Sequence, residues 1–324
     1  MARYLVTGGA GFIGSNVVAA LAARGDAVTA VDLARTPMLA VAQARLPQIA
    51  FRQGDLTEWP QIAAALQETR PDAVVHCGAV VGIVNALANP VGTFRVNVEG
   101  TLNLLESMRL FGVRRLVNLS SEEVYGPFAV PIIDEMHRCE PVGPYGISKL
   151  AAEWLARDIA AARGLECIHV RTCWVYGPGL SRPRVPKTLI DAAVSGRPLH
   201  IPRGGDFRVD HVYIDDCVQG IVKVLDKPQH GVDVYHIATG QAPSLAEIVA
   251  IVKDLVPAAQ LSIGPGNYSW ADGIDVVRKG ALDITRARAE LGYAPRYDIR
   301  AGLAACVAWE RGHRPWEATP SPPP

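Results

Sequence analysis

Two side chains four positions apart suggest what this 324-residue chain could do. Tyr145 and Lys149, in Tyr145-Gly146-Ile147-Ser148-Lys149, follow the breaker Pro144 and begin a helical pattern that runs to Arg163. An i, i+4 spacing places both on one helix face. A free tyrosine has a pKa of roughly 10, too high for a base at neutral pH, and a neighbouring ammonium is expected to stabilise the phenolate and lower that value. Upstream, Ser120-Ser121-Glu122-Glu123-Val124-Tyr125-Gly126 follows a β-branched run. Ser121 is expected to hydrogen-bond a substrate oxygen and turn it toward Tyr145. The carboxylate pair Glu122 and Glu123 suits proton removal alpha to a ketone followed by loss of water. Taken alone, Tyr-x-x-x-Lys is also an ordinary helix surface, so the rest of the chain has to decide.

The first fifteen residues do much of that. Gly8-Gly9-Ala10-Gly11-Phe12-Ile13-Gly14 comes directly after an apolar strand pattern and opens an amphipathic one. Small residues let backbone amides approach a pyrophosphate, and a helix N-terminus favours its charge. Asp32 closes the second strand pattern 18 positions after Gly14. A carboxylate there accepts hydrogen bonds from the adenosine ribose and repels a 2′-phosphate, which selects NAD over NADP. Arg35, nearby, is the residue that would instead hold such a phosphate. Asp55, in Gly-Asp-Leu after a strand pattern, is either an adenine-edge contact or a plain loop aspartate. With a dinucleotide in place, Lys149 also gains a second role, binding the nicotinamide ribose hydroxyls.

These residues need a frame. Arg3–Thr7, Ala27–Asp32, Ala50–Gly54, Ala73–His76, Arg115–Ser120 and Cys167–Arg171 read as strands, separated by helical stretches such as Phe12–Ala23 and Val91–Phe111. Alternation of this kind implies an α/β fold, a doubly wound parallel sheet with helices on both faces. Beyond about residue 176 Pro and Gly become frequent and helices such as Leu245–Leu255 are short. The division expected is a nucleotide-binding domain over 1–175, rejoined by 209–226, a smaller substrate domain over 176–314, and a disordered Pro-rich tail over 315–324. Lys plus Arg equals Asp plus Glu at 32 each, so nothing favours nucleic acid or an anionic membrane as partner. No apolar run reaches the roughly 20 residues that span a bilayer. Six scattered cysteines without CxxC pairs read as reduced thiols of a cytoplasmic protein, and the eight histidines have no ligand spacing, so no metal is expected. His76 and His211 are expected to line the cleft.

Taken together, Thr7–Gly14, Asp32, His76-Cys77-Gly78-Ala79, Asn97–Thr101, Ser120–Gly126, Tyr145–Lys149 and Arg171–Gly179 resemble the NAD-dependent epimerase/dehydratase family, the extended short-chain dehydrogenases. The likeness continues through Val209–Asp216 to Asp283–Asp298. It implies Ser121, Tyr145 and Lys149 as a catalytic triad, with Tyr145 taking the proton of a secondary alcohol as hydride leaves. It also places Gly8, Gly11, Phe12, Ile13, Gly14, Asp32, Asp55, Leu56 and Asn97, with Tyr145 and Lys149, on NAD-contacting positions. A homodimer is implied too, pairing through Val91–Phe111 and Tyr145–Arg163.

Two departures bear on the substrate. Where nucleotide-sugar members carry Asn before Val-Tyr-Gly, this chain has Trp174, which either stacks on the substrate or fills the core. Where they carry an Arg to hold the diphosphate, it has Val209, with Arg208 one residue early and so turned to the opposite face. Arg278 is a candidate replacement anchor, as are Arg182, Arg184, Lys187 and Arg203. The function expected is NAD-dependent hydride transfer at a carbohydrate alcohol or ketone, led by a nucleotide-sugar epimerase. The alternatives are a dehydrogenase or reductase of a sugar acid or small alcohol, a dehydratase using Glu122 and Glu123, and a non-catalytic NAD sensor.

Overall fold

The computed structural model describes residues 1–271 and 274–313. The tail expected over 315–324 lies outside the described residues. Seven strands form the central sheet: β1 (Arg3–Thr7), β2 (Ala27–Asp32), β3 (Ile49–Gln53), β4 (Ala73–His76), β5 (Arg115–Leu119), β6 (Glu166–Thr172) and β7 (Val234–Ile237). Their order is β7-β6-β5-β4-β1-β2-β3, and every neighbouring pair is parallel. A parallel sheet is covered on both faces, so its strands read as apolar runs. Leu5, Val6, Ala30, Val74, Val75, Leu116, Val117, Ile168 and Val170 are accordingly buried. The strand order reverses between β1 and β4, which opens a crevice at the carboxyl ends where such sheets bind ligands.

Local sequence explains the element that carries Tyr145. Helix Gly143–Arg163 starts with Pro144 at its first turn, where a missing N–H costs nothing. It ends at Gly164, whose left-handed φ of 65° closes the last turn. Tyr145, Ser148, Lys149, Ala152 and Glu153 face inward, while Ile147 and Trp154 face out. The segment read as one helix over Val91–Phe111 is in three parts: Pro90–Phe94, one wider i→i+5 turn at Arg95–Glu99, and Gly100–Phe111. Such π turns concentrate at functional sites, and this one carries Asn97.

The strand that returns to the sheet lies beyond the 209–226 segment expected to rejoin it. The Val209–Ile214 stretch forms a strand only over His211–Tyr213, which pairs with Trp174–Tyr176 outside the main sheet. After helix Ile214–Asp226 the chain returns to the sheet as β7. Around this excursion gather three more two-stranded pieces, Leu199–Ile201 with Leu261–Ile263, Ile132–Ile133 with Ala281–Leu282, and Ser269–Ala271 with Ile274–Asp275. Helix Leu245–Leu255 begins with a full capping box, Ser244 and Glu247 each bonding the other's backbone N–H. Among the described residues no helix is long and apolar enough to cross a membrane.

Candidate active site

The glycine loop is shaped by close approach. Gly8 has φ of 63°, and a Cβ there would lie 2.5 Å from the Gly78 nitrogen. A Cβ on Gly14 would lie 2.1 Å from the Gly8 carbonyl oxygen. Both glycines therefore let the loop sit hard against the β4 exit and the first helical turn. Gly11 caps helix Phe12–Ala23 with no side-chain acceptor, which leaves first-turn N–H groups for an external anion. Phe12 and Ile13 anchor that turn against the core. Asp32 stands at the loop's mouth, its carboxylate accepting from the backbone N–H of Ala10 at 3.0 Å and of Leu33 at 2.8 Å.

Three other residues expected at the nucleotide have visible tasks in the frame. Asp55 accepts from the Thr57 backbone N–H at 2.8 Å and from its hydroxyl at 2.9 Å. Leu56 packs under Gly78, where a Cβ would approach its side chain to 2.6 Å. Asn97 accepts from the Val80 N–H at 2.7 Å and donates to the Val80 carbonyl at 3.1 Å and the Ser148 hydroxyl at 3.0 Å. A loop tight enough for pyrophosphate, an uncapped helix end and a fixed carboxylate at the second strand together fit a dinucleotide.

Across the crevice, Ser121 is extended at the end of β5 and caps the turn Glu122–Tyr125 by accepting from the Glu123 N–H at 3.2 Å. Helix Gly143–Arg163 can reach this turn because Gly146 has no side chain. A Cβ there would meet the Glu123 carbonyl oxygen at 2.5 Å. Tyr145 and Ser121 are thus brought together, as the sequence led us to expect. The electrostatics differ from that expectation. Burial pushes the Tyr145 phenol up to about 12, and the influences that pull it down are Arg182, the Ser121 hydroxyl and Arg184, with Lys149 not among them. The Lys149 ammonium instead donates to the Leu119 carbonyl at 2.9 Å, and its own burial brings it down to about 8.

Beside Tyr145, the two carboxylates of the turn have opposite surroundings. Glu123 pairs at 2.9 Å with Lys279, an ammonium with no exposure that also donates to the Gly126 carbonyl. Glu122 is 1% exposed, and neither of its carboxyl oxygens has a hydrogen-bond partner. Burial pushes Glu122 up to about 8, with Glu123 and Asp210 raising it further against the pull of Lys279 and Arg184. Lys279 escaped the sequence reading, since nothing in Val-Arg-Lys-Gly marks a lysine that packs 156 positions away.

The other candidates divide. His211 is buried close to Trp174, ring centroids 5.3 Å apart, whereas His76 is locked between the Thr7 and Thr101 hydroxyls. Trp174 is buried among Phe207, His211, Tyr268 and Trp270. Arg278 lies on the rim of a cavity of about 740 Å³ that Phe207, Arg208, Gln241 and Asn267 also line. Its guanidinium donates to the Phe128 carbonyl at 2.6 Å and to that of Ala129. Val209 is fully buried, and Arg208 points outward to Glu247. Among the described residues no group of His, Cys, Asp or Glu could hold a metal ion.

Known proteins resemble this chain over nearly its whole length. The chain is 33% identical to a dTDP-glucose 4,6-dehydratase of Streptomyces griseus, over 96% of this chain and 95% of that protein. It is 31% identical to a UDP-glucose 4-epimerase of Mycolicibacterium smegmatis, covering 95% and 98%. The crystal structure of a UDP-glucose 4-epimerase with UDP-glucose from Thermotoga maritima superposes with a TM-score of 0.86 at 27% identity, covering 96% of this chain and 99% of that one. Residues 4–238 match the model of the NAD dependent epimerase/dehydratase family. With the glycine loop, Asp32 and the Ser121–Tyr145 pair set around one crevice, the chain belongs to that family of NAD-dependent enzymes.

Proposed function

We propose that the chain is a nucleotide-sugar epimerase with Tyr145 as its acid–base group. NAD, when bound, supplies the hydride acceptor and donor. Gly8, Gly11, Gly14, Asp32 and the first turn of Phe12–Ala23 would hold its adenosine diphosphate half, with Lys149 at the nicotinamide ribose. Asp55, Leu56 and Asn97 then shape the walls through the contacts described above. Tyr145 takes the proton from a sugar hydroxyl and gives it back to the ketone oxygen once the keto sugar has turned its other face to the hydride donor, while Ser121 orients that oxygen. At rest the phenol keeps its proton, with Arg182, Ser121 and Arg184 pulling toward the phenolate against its burial.

The observation that carries the choice of reaction is the Glu123–Lys279 pair. A dehydratase needs a carboxylate free to remove a carbon-bound proton, and the Glu123 carboxylate is held in an ion pair by the buried Lys279 ammonium at 2.9 Å. An epimerase needs only Tyr145. Glu122 supports the second reading, because a carboxyl pushed up to about 8 retains the proton that departing water requires. Incubation with UDP-glucose or dTDP-glucose, followed by NMR, separates them. A new C4 epimer with no net NADH is expected. Loss of water to a keto-deoxy sugar would make the enzyme a dehydratase, steady NADH release a dehydrogenase, and inertness a sensor. Tyr145→Phe should lower turnover about 10²–10⁴-fold while NAD still binds, and more than about a tenth of wild-type activity would remove Tyr145 from the mechanism.

The reading includes a homodimer in the cytoplasm. Val84, Leu87, Val91, Phe94, Ile147 and Trp154 are exposed on the outer helices, a covering that a second copy would complete. All six cysteines are free, as reducing conditions would keep them.

A further inference from the structure

The cations on the substrate side can be sorted by what neutralises them. Arg203 pairs with Asp275 at 3.3 Å, Arg208 with Glu247 at 3.1 Å, Lys187 with Asp191 at 2.6 Å and Lys279 with Glu123 at 2.9 Å. Arg278 is spent on backbone carbonyls. Arg182 and Arg184 remain. Neither has a carboxylate at ion-pair distance among the described residues, and each places one N–H on a carbonyl, Arg182 on Val81 and Arg184 on Val175, both at 3.0 Å.

Arg184 is the more exposed to this cost. Its Nε is sealed from solvent without a hydrogen-bond partner, and its guanidinium lies 5.1 Å over the ring of Trp174. Burial, with repulsion from Arg182, brings it down to about 10. A buried donor without a partner costs free energy, and two neighbouring guanidiniums add to the cost. Two more groups around Trp174 are in the same condition. The Trp270 ring is 4.8 Å from Trp174, and its Nε1 is sealed and unpartnered. His211 lies 2.9 Å from the Val209 carbonyl through Nδ1, so that nitrogen carries the hydrogen and the sealed, unpartnered Nε2 presents a lone pair.

We propose that Arg184, with Arg182 beside it, is the substrate's anion anchor, taking over next to Tyr145 the task of the arginine that Val209 replaces. Trp174 supports the guanidinium from below, Trp270 Nε1 adds a neutral donor, and His211 Nε2 accepts from a substrate hydroxyl. Unpartnered buried donors are what an incoming oxyanion satisfies, through short charge-assisted bonds. Two sources have this chemistry, the diphosphate of a nucleotide sugar and the carboxylate of a sugar acid. The assignment rests on the nucleotide-sugar reading for its substrate, but binding tests it without turnover.

The test uses the NAD-loaded protein and calorimetry with UDP, and then with UDP-glucose and UDP-glucuronate. In Arg184→Met, UDP should bind about 10- to 150-fold more weakly, the range of a lost charge-assisted bond. Arg184→Lys should recover part of that loss, and added salt should weaken the wild-type interaction. If UDP is unaffected but the preference for UDP-glucuronate over UDP-glucose disappears, the anchor stands and its anion is the carboxylate. NAD affinity should hold, and the ligand-free melting temperature of Arg184→Met should stay level or rise, because an uncompensated charge has gone. Equal affinity of Arg184→Met and wild type for all three ligands overturns the proposal, as does a melting loss that accounts for the weaker binding. Arg184-dependent UDP binding by a protein that isomerises no nucleotide sugar would sink the epimerase reading and leave the anchor in place.

Discussion

Arg171 and Arg184 are both arginines placed among buried groups, and they differ in every contact. Arg171, 3% exposed, clasps Glu153 with Nε at 3.0 Å and Nη2 at 2.6 Å, and gives Nη1 to the Tyr125 hydroxyl at 2.8 Å. That hydroxyl meets His236, which reaches the Asp283 carbonyl, and Glu153 takes a further bond from Ser120. Every polar atom in this chain of contacts has a partner. Around Arg184 the reverse holds, with unpartnered atoms on Arg184, Glu122, His211 and Trp270. Complete networks hold a structure in one arrangement, and incomplete ones are tolerated where a ligand completes them. The Glu153–Arg171 pair ties helix Gly143–Arg163 to β6, so it positions the helix that carries Tyr145.

The largest effect should come from cutting the complete network. Arg171→Met takes the bidentate cation from the buried Glu153 carboxylate, leaving it Arg157 at 3.3 Å and the Ser120 hydroxyl, and should cost about 3–5 kcal/mol. Chemical denaturation of Arg171→Met and Arg184→Met in parallel would show it. A loss in both of similar size would erase the distinction between frame and ligand site.

Two of the buried glutamates, Glu153 and Glu122, sharpen the contrast, because their pH dependence has opposite sign. Burial works against the Glu153 carboxylate, but the hydrogen bonds and charge of Arg171, with His169 and the Ser120 hydroxyl, together outweigh it and bring the group down to about 2. Its stabilisation is present above the ordinary value of 4.5 and is lost as pH falls toward 2. Glu122 is raised, so its contribution is complete below 4.5 and disappears as pH climbs through about 8. Glu122→Gln keeps the shape without the titration. Its stability relative to wild type should therefore increase between about pH 4.5 and 8 and then level. A flat difference across that window would place the Glu122 carboxylate in contact with a cation or with water.

How much of this was legible in the sequence depends on range. Tyr145, Lys149, the glycine loop and six of the seven sheet strands announce themselves because their signals are local, in spacing and periodicity. The Gly146 contact that brings the helix to Ser121 is not local, because its meaning lies in the Glu123 carbonyl of a separate turn. Lys279 against Glu123, Glu153 against Arg171 and β7 in place of 209–214 are contacts between distant segments, and no period or motif encodes them. The same limit explains Tyr145. Helical spacing put an ammonium on its face, whereas folding spent Lys149 on the Leu119 carbonyl and left Arg182 and Arg184 as the cations that pull on the phenol.

Asp32 offers the smallest effect and the hardest case for the contrast, since its carboxylate already has partners in Ala10 and Leu33 and yet is assigned to a ligand. A carboxylate oxygen accepts more than one hydrogen bond, so the backbone contacts fix its direction and leave lone pairs for ribose hydroxyls. Its charge is what excludes a 2′-phosphate. Asp32→Asn keeps the size and removes the charge, so the preference for NAD over NADP should narrow by about tenfold, the equivalent of roughly 1.4 kcal/mol. Fluorescence titration with both cofactors gives the ratio directly. An unchanged ratio would make Asp32 a loop brace only, and tighter NADP binding by the unaltered protein would move the selectivity to Arg35.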